Sequence, residues 1–136
     1  FAAAVIIFLL IQVIPLGRAH KNPPVVSEPQ WDSPETRALF KRACFDCHSN
    51  ETVWPWYANI APMSWLVQMD VNNGRSEMNF SEWEKFQRIN AEQIAYEVTN
   101  NNMPLPQYLM LHPEARLTQA EKDQLIQGIQ ATLAQP

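Results

Sequence analysis

The chain contains only two cysteines, and a histidine directly follows the second: Cys44-Phe45-Asp46-Cys47-His48. This C-x-x-C-H pattern is the attachment sequence of c-type haem. Two thiols near one helical turn apart can reach the two vinyl groups on one edge of a porphyrin. The histidine that follows is then carried under the ring, where its imidazole can ligate the iron. The pattern therefore predicts one covalently bound haem c, with Asp46 as an exposed residue of the attachment turn.

Three other chemistries fit a C-x-x-C pair. A thioredoxin-like dithiol needs a βαβ context, which the sequence pattern does not show. A structural zinc site needs four ligands, so that His20 or His112 would have to join the two cysteines and His48, with no second cysteine pair to help. A plain disulfide between the two cysteines stays open for an exported protein. We favour haem because the histidine directly follows the pair.

Haem iron takes a sixth ligand, and Met103 is the main candidate. It is followed by Pro104, which restricts the residue before it to extended conformations and so presents the thioether rigidly. Two alternatives stay open. Met103 can be a hydrophobic plug, because methionine fills irregular gaps readily, and His112, which is also followed by proline, would give ligation by two histidines. We expect His48 and Met103 to be the metal ligands.

Residues 1–17 contain no charged side chain, and Gln12 is their only polar one. A helix over this segment would span roughly 24 Å at about 1.5 Å per residue, somewhat less than a hydrocarbon core of about 30 Å. The chain opens on Phe1 without an initiator methionine, so we expect it to start inside a longer apolar stretch. A cleaved signal peptide and a retained membrane anchor both fit. The match to a small-residue cleavage site is poor, and we therefore predict a transmembrane anchor helix.

The remaining chain divides at a proline-rich segment. Residues 18–30 include three prolines and lack a helical period, which predicts an extended tether. The haem-binding domain is then expected at 31–136. The net charge is −4 and no basic stripe is present, which argues against nucleic acid as a partner.

The haem domain is expected to be all-α, because no segment alternates convincingly as a strand. Ser33 before Pro34 predicts a helix from Glu35 to about Cys44. A short helix is expected from Met63 to Asp70, ending before Asn72-Asn73-Gly74.

Capping boxes predict two more helices. One pairs Ser81 with Glu84 and opens a helical stretch towards Thr99. The other pairs Thr118 with Glu121 and precedes apolar residues that share one helix face: Leu125, Ile126, Ile129 and Leu133.

Several motifs together resemble the bacterial haem-binding-domain family of c-type cytochromes. They are Cys44-Phe45-Asp46-Cys47-His48-Ser49-Asn50-Glu51-Thr52, Trp54-Pro55-Trp56-Tyr57, Ile60-Ala61-Pro62, Asp70-Val71 with Gly74-Arg75, Asn79-Phe80-Ser81-Glu82-Trp83, Met103-Pro104 with Tyr108, and His112-Pro113-Glu114-Ala115. The likeness covers about 31–133. It implies a cytochrome c-like helical fold, haem attachment at Cys44 and Cys47, and ligation by His48. Met103 falls where the family has its Met-Pro.

Four further residues are candidates for the cofactor site. Trp54, Trp56 and Tyr57 would wall the haem pocket, or would form an aromatic surface at a membrane interface. Arg75 would pair with a haem propionate, or would be a solvated loop arginine.

The two predicted iron ligands indicate the function. With His48 and Met103 on the iron no position is open for substrate, so we expect an electron-transfer protein and not an enzyme. The expected protein is a membrane-anchored monohaem c-type cytochrome of the inner membrane, with its haem domain on the periplasmic side. Its expected partners are the membrane and redox proteins, in a larger respiratory or photosynthetic complex or as a soluble carrier. A haem peroxidase and a haem-based sensor, each with an open distal site, are the alternatives.

Overall fold

The computed structural model describes residues 1–86 and 88–134. Seven α-helices lie in them: α1 (Ala2–Ile11), α2 (Pro34–Ala43), α3 (Phe45–His48), α4 (Met63–Glu77), α5 (Ala91–Thr99), α6 (Pro106–Leu111) and α7 (Gln119–Leu133). Short 3₁₀ turns cover Trp56–Asn59, Trp83–Phe86 and Pro113–Ala115. These residues form no strand, only an isolated bridge between Ser27 and Glu82. The predicted all-α class is confirmed.

The predicted transmembrane anchor helix is wrong. Helix α1 has 10 residues, which span about 15 Å. Among the residues that the structure describes, no helix is both long enough and apolar enough to cross a membrane. The helix stops because Pro15 cannot continue it, and because Gly17 turns the chain with a positive φ of 75°. The apolar pattern of residues 1–17 gave no sign of this turn.

The turn after α1 is held against the rest of the chain. The side-chain amide of Gln12 donates to the carbonyl oxygen of Ala61 at 2.9 Å, and the Ala61 N–H donates back to Gln12 Oε1 at 3.0 Å. A Cβ on Gly17 would lie 2.0 Å from the carbonyl oxygen of Ser64. Only glycine therefore fits where this turn meets the start of α4.

Helices α2 and α7 begin at the predicted residues. The Ser33 hydroxyl accepts a hydrogen bond from the Thr36 N–H at the start of α2. Thr118 and Glu121 form both bonds of a capping box at the start of α7. The two helices approach closely, since a Cβ on Gly128 would lie 2.1 Å from Thr36 Oγ1. These predictions are confirmed.

The core lies between α2, α5, α7 and the aromatic residues near the motif. Phe40, Phe45, Phe80, Leu125 and Ile129 are at most 1% exposed. Half-buried aromatic and aliphatic side chains complete this cluster: Trp31, Met78, Trp83, Ile89, Ile126 and Leu133. The core therefore forms one wall directly behind the two cysteines.

Two sequence predictions about helix ends are wrong. Helix α4 does not stop at Asp70 but continues through the Asn-Asn-Gly sequence to Glu77. The proposed capping box at Ser81 does not form, because the Ser81 hydroxyl accepts from the Asn50 N–H at 2.9 Å. Helix α5 is capped instead by Asn90, whose side chain accepts from the Gln93 N–H at 2.8 Å. At Ser81 a contact from a distant part of the chain replaces the local one.

Residues 18–30 lack helix and run along the domain surface. The Asn22 side chain donates to the carbonyl oxygen of Thr52 at 2.8 Å, and the Val26 N–H donates to that of Ser81 at 2.8 Å. The domain boundaries at 17/18 and 30/31 remain predictions.

Candidate functional site

The four groups that the sequence assigns to haem attachment and ligation line one cavity. Its volume is about 460 Å³, and the side chains of Cys44, Cys47, His48 and Met103 all border it. Known small-molecule and cofactor sites measure about 300 to 1,000 Å³. The chain thus brings Met103 to the motif from a position far along the sequence.

The motif is presented to the cavity by the two helices that meet at Cys44. Cys44 ends α2, donating its N–H to the Phe40 carbonyl oxygen at 2.8 Å, and it also begins α3. The His48 N–H bonds the Cys44 carbonyl oxygen at 2.9 Å. Between the cysteines, Phe45 is buried and its ring stacks on Phe80 with centroids 5.5 Å apart. Because Phe45 is held in the core, the two sulfurs and the imidazole face the cavity.

Helix α4 lies directly on the motif through Gly74. A Cβ at this position would lie 2.4 Å from the Cys47 carbonyl oxygen and 2.9 Å from the Cys47 Cβ. Both distances are shorter than packed atoms tolerate. Gly74 also borders the cavity. The absence of a side chain here therefore lets α4 close one side of the cavity.

Burial holds both thiols in the neutral form. Burial raises the pKa of Cys44 and of Cys47 to about 12, and the carboxylates of Asp70 and Asp46 add to the effect at Cys47. Desolvation disfavours the charged thiolate. The two cysteines are free and unbridged in this structure.

His48 is oriented for metal ligation. Its Nδ1 lies 3.1 Å from the carbonyl oxygen of Met78, so a protonated Nδ1 can donate there. That leaves Nε2 as the lone-pair nitrogen. Burial lowers the pKa of His48, while backbone hydrogen bonds at Met78 and Gly74 act in the opposite direction. The neutral imidazole that iron requires is therefore favoured.

Two thioethers border the cavity. Met103 is half-buried and its N–H bonds the Glu97 carbonyl oxygen at 3.1 Å. Met78 borders the same cavity and is also half-buried. Met103 as the sixth ligand stays a prediction, with Met78 as a rival that the sequence pattern did not reveal.

The donor set and the walls fit haem c. Two thiols, one imidazole and a thioether meet in a cavity whose other walls are largely apolar, among them Phe40, Ala43, Ile94, Val98 and Leu105. The zinc alternative needs His20 or His112 as its fourth ligand. His20 stacks on Trp54 with ring centroids 4.7 Å apart, and His112 bonds the Tyr57 hydroxyl at 2.7 Å. Neither histidine borders this cavity.

The remaining sequence candidates do not border the main cavity. The chain turns at Pro55 into the 3₁₀ turn Trp56–Asn59, which leaves Trp56 76% exposed. Trp54 packs on His20 and donates Nε1–H to Asn22 at 3.1 Å. Trp54 and Trp56 therefore lie close to the motif in sequence but do not contact the cavity.

Arg75 also points elsewhere. Its Nε–H donates to the Ser49 carbonyl oxygen at 2.7 Å, and its other nitrogens donate to Lys21, Asn22 and Thr52 at 2.9 to 3.0 Å. The guanidinium thus ties residues 21 and 22 to the loop after the motif. Arg75 is therefore not a solvated loop arginine, and its pairing with a haem propionate stays a prediction.

A second, smaller cavity of about 40 Å³ adjoins the first. Asp46, Cys47, Asp70 and Tyr108 border both cavities, and Tyr57 and His112 border only the smaller one. Sequence reasoning assigned no role to Asp70, Gly74 or Tyr108. All three stand in the motifs that carry the family resemblance, which is the signal that could have identified them.

Comparison with known proteins agrees with this geometry. No curated protein and no solved structure matches the chain. The family model of a haem-binding domain matches residues 6–131, and this range includes both cysteines, His48 and Met103. The chain therefore belongs to the haem-binding domain family.

Proposed function

We propose that the chain is a c-type cytochrome that transfers electrons through one haem attached covalently at Cys44 and Cys47. The observation that carries the proposal is the meeting of these two thiols, His48 and Met103 in one cavity. When bound, the haem supplies a centre that accepts and donates single electrons.

The protein's own side chains favour this chemistry over substrate conversion. His48 and Met103 would supply an imidazole and a thioether as ligands to the iron. Ligation by methionine and histidine raises the reduction potential relative to ligation by two histidines. Apolar residues of α2 and α5 line the site, and a low local dielectric strengthens the electrostatic interactions inside it.

A peroxidase is less well supported. It needs an acid–base group beside an open iron position, and His112 is the candidate in the sequence. His112 borders the smaller cavity and is bonded to Tyr57 and Glu114. It is therefore not directed into the cavity that the cysteines share.

Location and partners follow from the cofactor. Covalent c-type haem is assembled outside the cytoplasm, so we propose an extracytoplasmic haem domain. The proposed partners are redox proteins that donate and accept one electron, either in a larger complex or as a soluble carrier.

Two measurements test the proposal. The purified protein, produced with c-type haem assembly, is expected to keep its haem on a denaturing gel. The Cys44→Ser, Cys47→Ser double variant is expected to lose the haem stain completely. The reduced absorption spectrum is expected not to change with carbon monoxide, because His48 and Met103 would both ligate the iron. Full haem staining of the double variant would contradict covalent attachment, and rapid carbon monoxide binding by the unchanged protein would favour an open-site enzyme or sensor.

A further inference from the structure

Asp70 lies where the two cavities meet. Its side chain borders the larger cavity together with Cys44, Cys47 and His48, and it borders the smaller one with Tyr57 and His112. The residue is half-buried on α4. A group that fills the larger cavity would cover one side of this carboxyl, so that its other side faces the smaller cavity.

A hydrogen-bonded chain leads from the smaller cavity to solvent. The Tyr57 hydroxyl lies 2.7 Å from His112 Nε2, and His112 Nδ1 lies 3.0 Å from Glu114 Oε1. The Glu114 side chain is 62% exposed. A cavity of about 40 Å³ has room for at least one water molecule with polar partners. A water in this cavity would link Asp70 to the Tyr57 hydroxyl, and so to the surface, without passing through the larger cavity.

The acidic side chains around Asp70 are not balanced by a lysine or an arginine of the described residues. The titratable groups that border the two cavities with it are the carboxyls of Asp46, Glu77 and Glu97, the thiols of Cys44 and Cys47, the imidazoles of His48 and His112, and the phenols of Tyr57 and Tyr108. Within the described residues 1–86 and 88–134, no lysine or arginine borders either cavity. The nearby Arg75 is bonded to Ser49 and Thr52.

Asp46 and Asp70 differ in their bonding. One oxygen of Asp46 accepts from the Tyr108 hydroxyl at 2.7 Å and the other accepts from the Val53 N–H at 2.9 Å. These donors stabilise a charged carboxylate. Asp70 makes none of the side-chain hydrogen bonds found in the described part of the chain, and burial raises its pKa. Of the two carboxyls shared by both cavities, Asp70 is the one free to change its protonation.

We propose that Asp70 binds one proton when the haem of the proposed function gains one electron, and releases it when that electron leaves. The ferric iron carries one more positive charge than the ferrous iron, and this charge favours the Asp70 carboxylate. On reduction the electron comes from a one-electron donor protein, and the proton comes from water to convert the carboxylate to a carboxylic acid. The chain of Tyr57, His112 and Glu114 carries the proton between Asp70 and solvent.

The midpoint potential of the haem-loaded protein between about pH 4 and about pH 8 tests the proton site. The unchanged protein is expected to show a potential that falls as pH rises, with a limiting slope of about 59 mV for each tenfold change in proton concentration. Asp70→Asn is expected to abolish this slope and Asp70→Glu to retain it. Glu77→Gln is the matched control, because Glu77 borders the larger cavity alone, and it is expected to retain the slope.

A slope that survives in Asp70→Asn would overturn the assignment of the proton site. If the slope survives there and disappears in His112→Ala, the proton site is the histidine. The proposal rests on the proposed function, and the two fail differently. Absence of covalent haem refutes the function itself, while a haem with a pH-independent potential refutes only the role of Asp70.

Tyr57→Phe tests the chain separately. Removing the hydroxyl leaves Asp70 in place, so the equilibrium slope is expected to stay. Proton uptake after a flash-generated reductant, followed with a pH-indicator dye, is expected to lose its fast phase. An unchanged uptake rate in Tyr57→Phe would show that the proton takes another route.

Discussion

The Tyr108 hydroxyl donates a hydrogen bond of 2.7 Å to the carboxylate of Asp46. Asp46 lies between the two cysteines, and Tyr108 lies on α6, directly after the Met103-Pro104 sequence. Asp46 is half-buried, and so it is not the exposed turn residue that the sequence predicts. This bond joins the attachment motif to the segment that carries the predicted sixth ligand.

Loss of this bond is expected to destabilise the fold. Tyr108→Phe removes the donor and leaves a half-buried carboxylate with one bond fewer, for an expected loss of about 1 to 2 kcal/mol in the free energy of unfolding. Urea unfolding followed by circular dichroism measures it. Tyr96→Phe is the matched control, because Tyr96 is 62% exposed, and it is expected to change stability by less than about 0.5 kcal/mol. Equal losses in both variants would mean that the bond contributes nothing specific.

Substitution of the two cavity methionines is expected to identify the sixth ligand. Met103→Leu and Met78→Leu keep similar side-chain volume and remove the sulfur. Thioether ligation of ferric haem c gives a weak charge-transfer band near the red end of the visible spectrum. Met103→Leu is expected to abolish this band, lower the potential and admit carbon monoxide, while Met78→Leu keeps the band. The reverse outcome would make Met78 the ligand, retention in both would point to one of the other methionines, and absence of the band from the unchanged protein would point to His112.

Gly74 is expected not to tolerate a side chain. Alanine is the better helix former by about 1 kcal/mol, yet its Cβ would lie 2.4 Å from the Cys47 carbonyl oxygen. Separation of α4 from the motif is expected to cost about 1 to 3 kcal/mol net and to lower the yield of haem-loaded protein. Thermal unfolding and haem content per chain measure the two effects. Asn72→Ala, at an exposed site on the same helix, is expected to leave both unchanged, and a Gly74→Ala protein of normal stability would contradict the close contact.

The capping box of α7 is expected to make stability depend on acid pH. Hydrogen bonds from the Thr118 N–H, the Arg42 side chain and the Thr118 hydroxyl lower the pKa of Glu121 to about 2, from an ordinary value of 4.5. Because the folded-state pKa is the lower one, the charged form stabilises the fold. This contribution is present in full above pH 4.5 and is lost as the pH falls towards about 2.

Glu121→Gln is therefore expected to be less stable than the unchanged protein at neutral pH and to lose less stability across that acid window. Urea midpoints measured at several pH values test this. Glu92→Gln, at an exposed position in the first turn of α5, is the control. A Glu121→Gln protein with an unchanged acid dependence would show that other carboxyls control it.

Short-range signals in the sequence determined the helix starts and the chemistry of the motif. Ser33 with Pro34 and Thr118 with Glu121 begin α2 and α7 where expected, because a capping side chain and the N–H that it bonds are only three residues apart. The two thiols and His48 are likewise fixed to one another by their spacing along the chain. Neither feature needs a distant partner to form.

Only the tertiary structure decided where α1 and α4 end and which side chains meet in the cavity. Gly17 and Gly74 each lie against the backbone of another segment, and a pattern along one segment does not reveal such a contact. Arg75 is directed away from the cavity because its donors find oxygens on residues 21, 49 and 52. Asp70 and Tyr108 join Cys47 at the cavity wall because α4 and α6 pack around the motif. The direction of a side chain depends on how separate helices pack, and that packing is set by the whole chain.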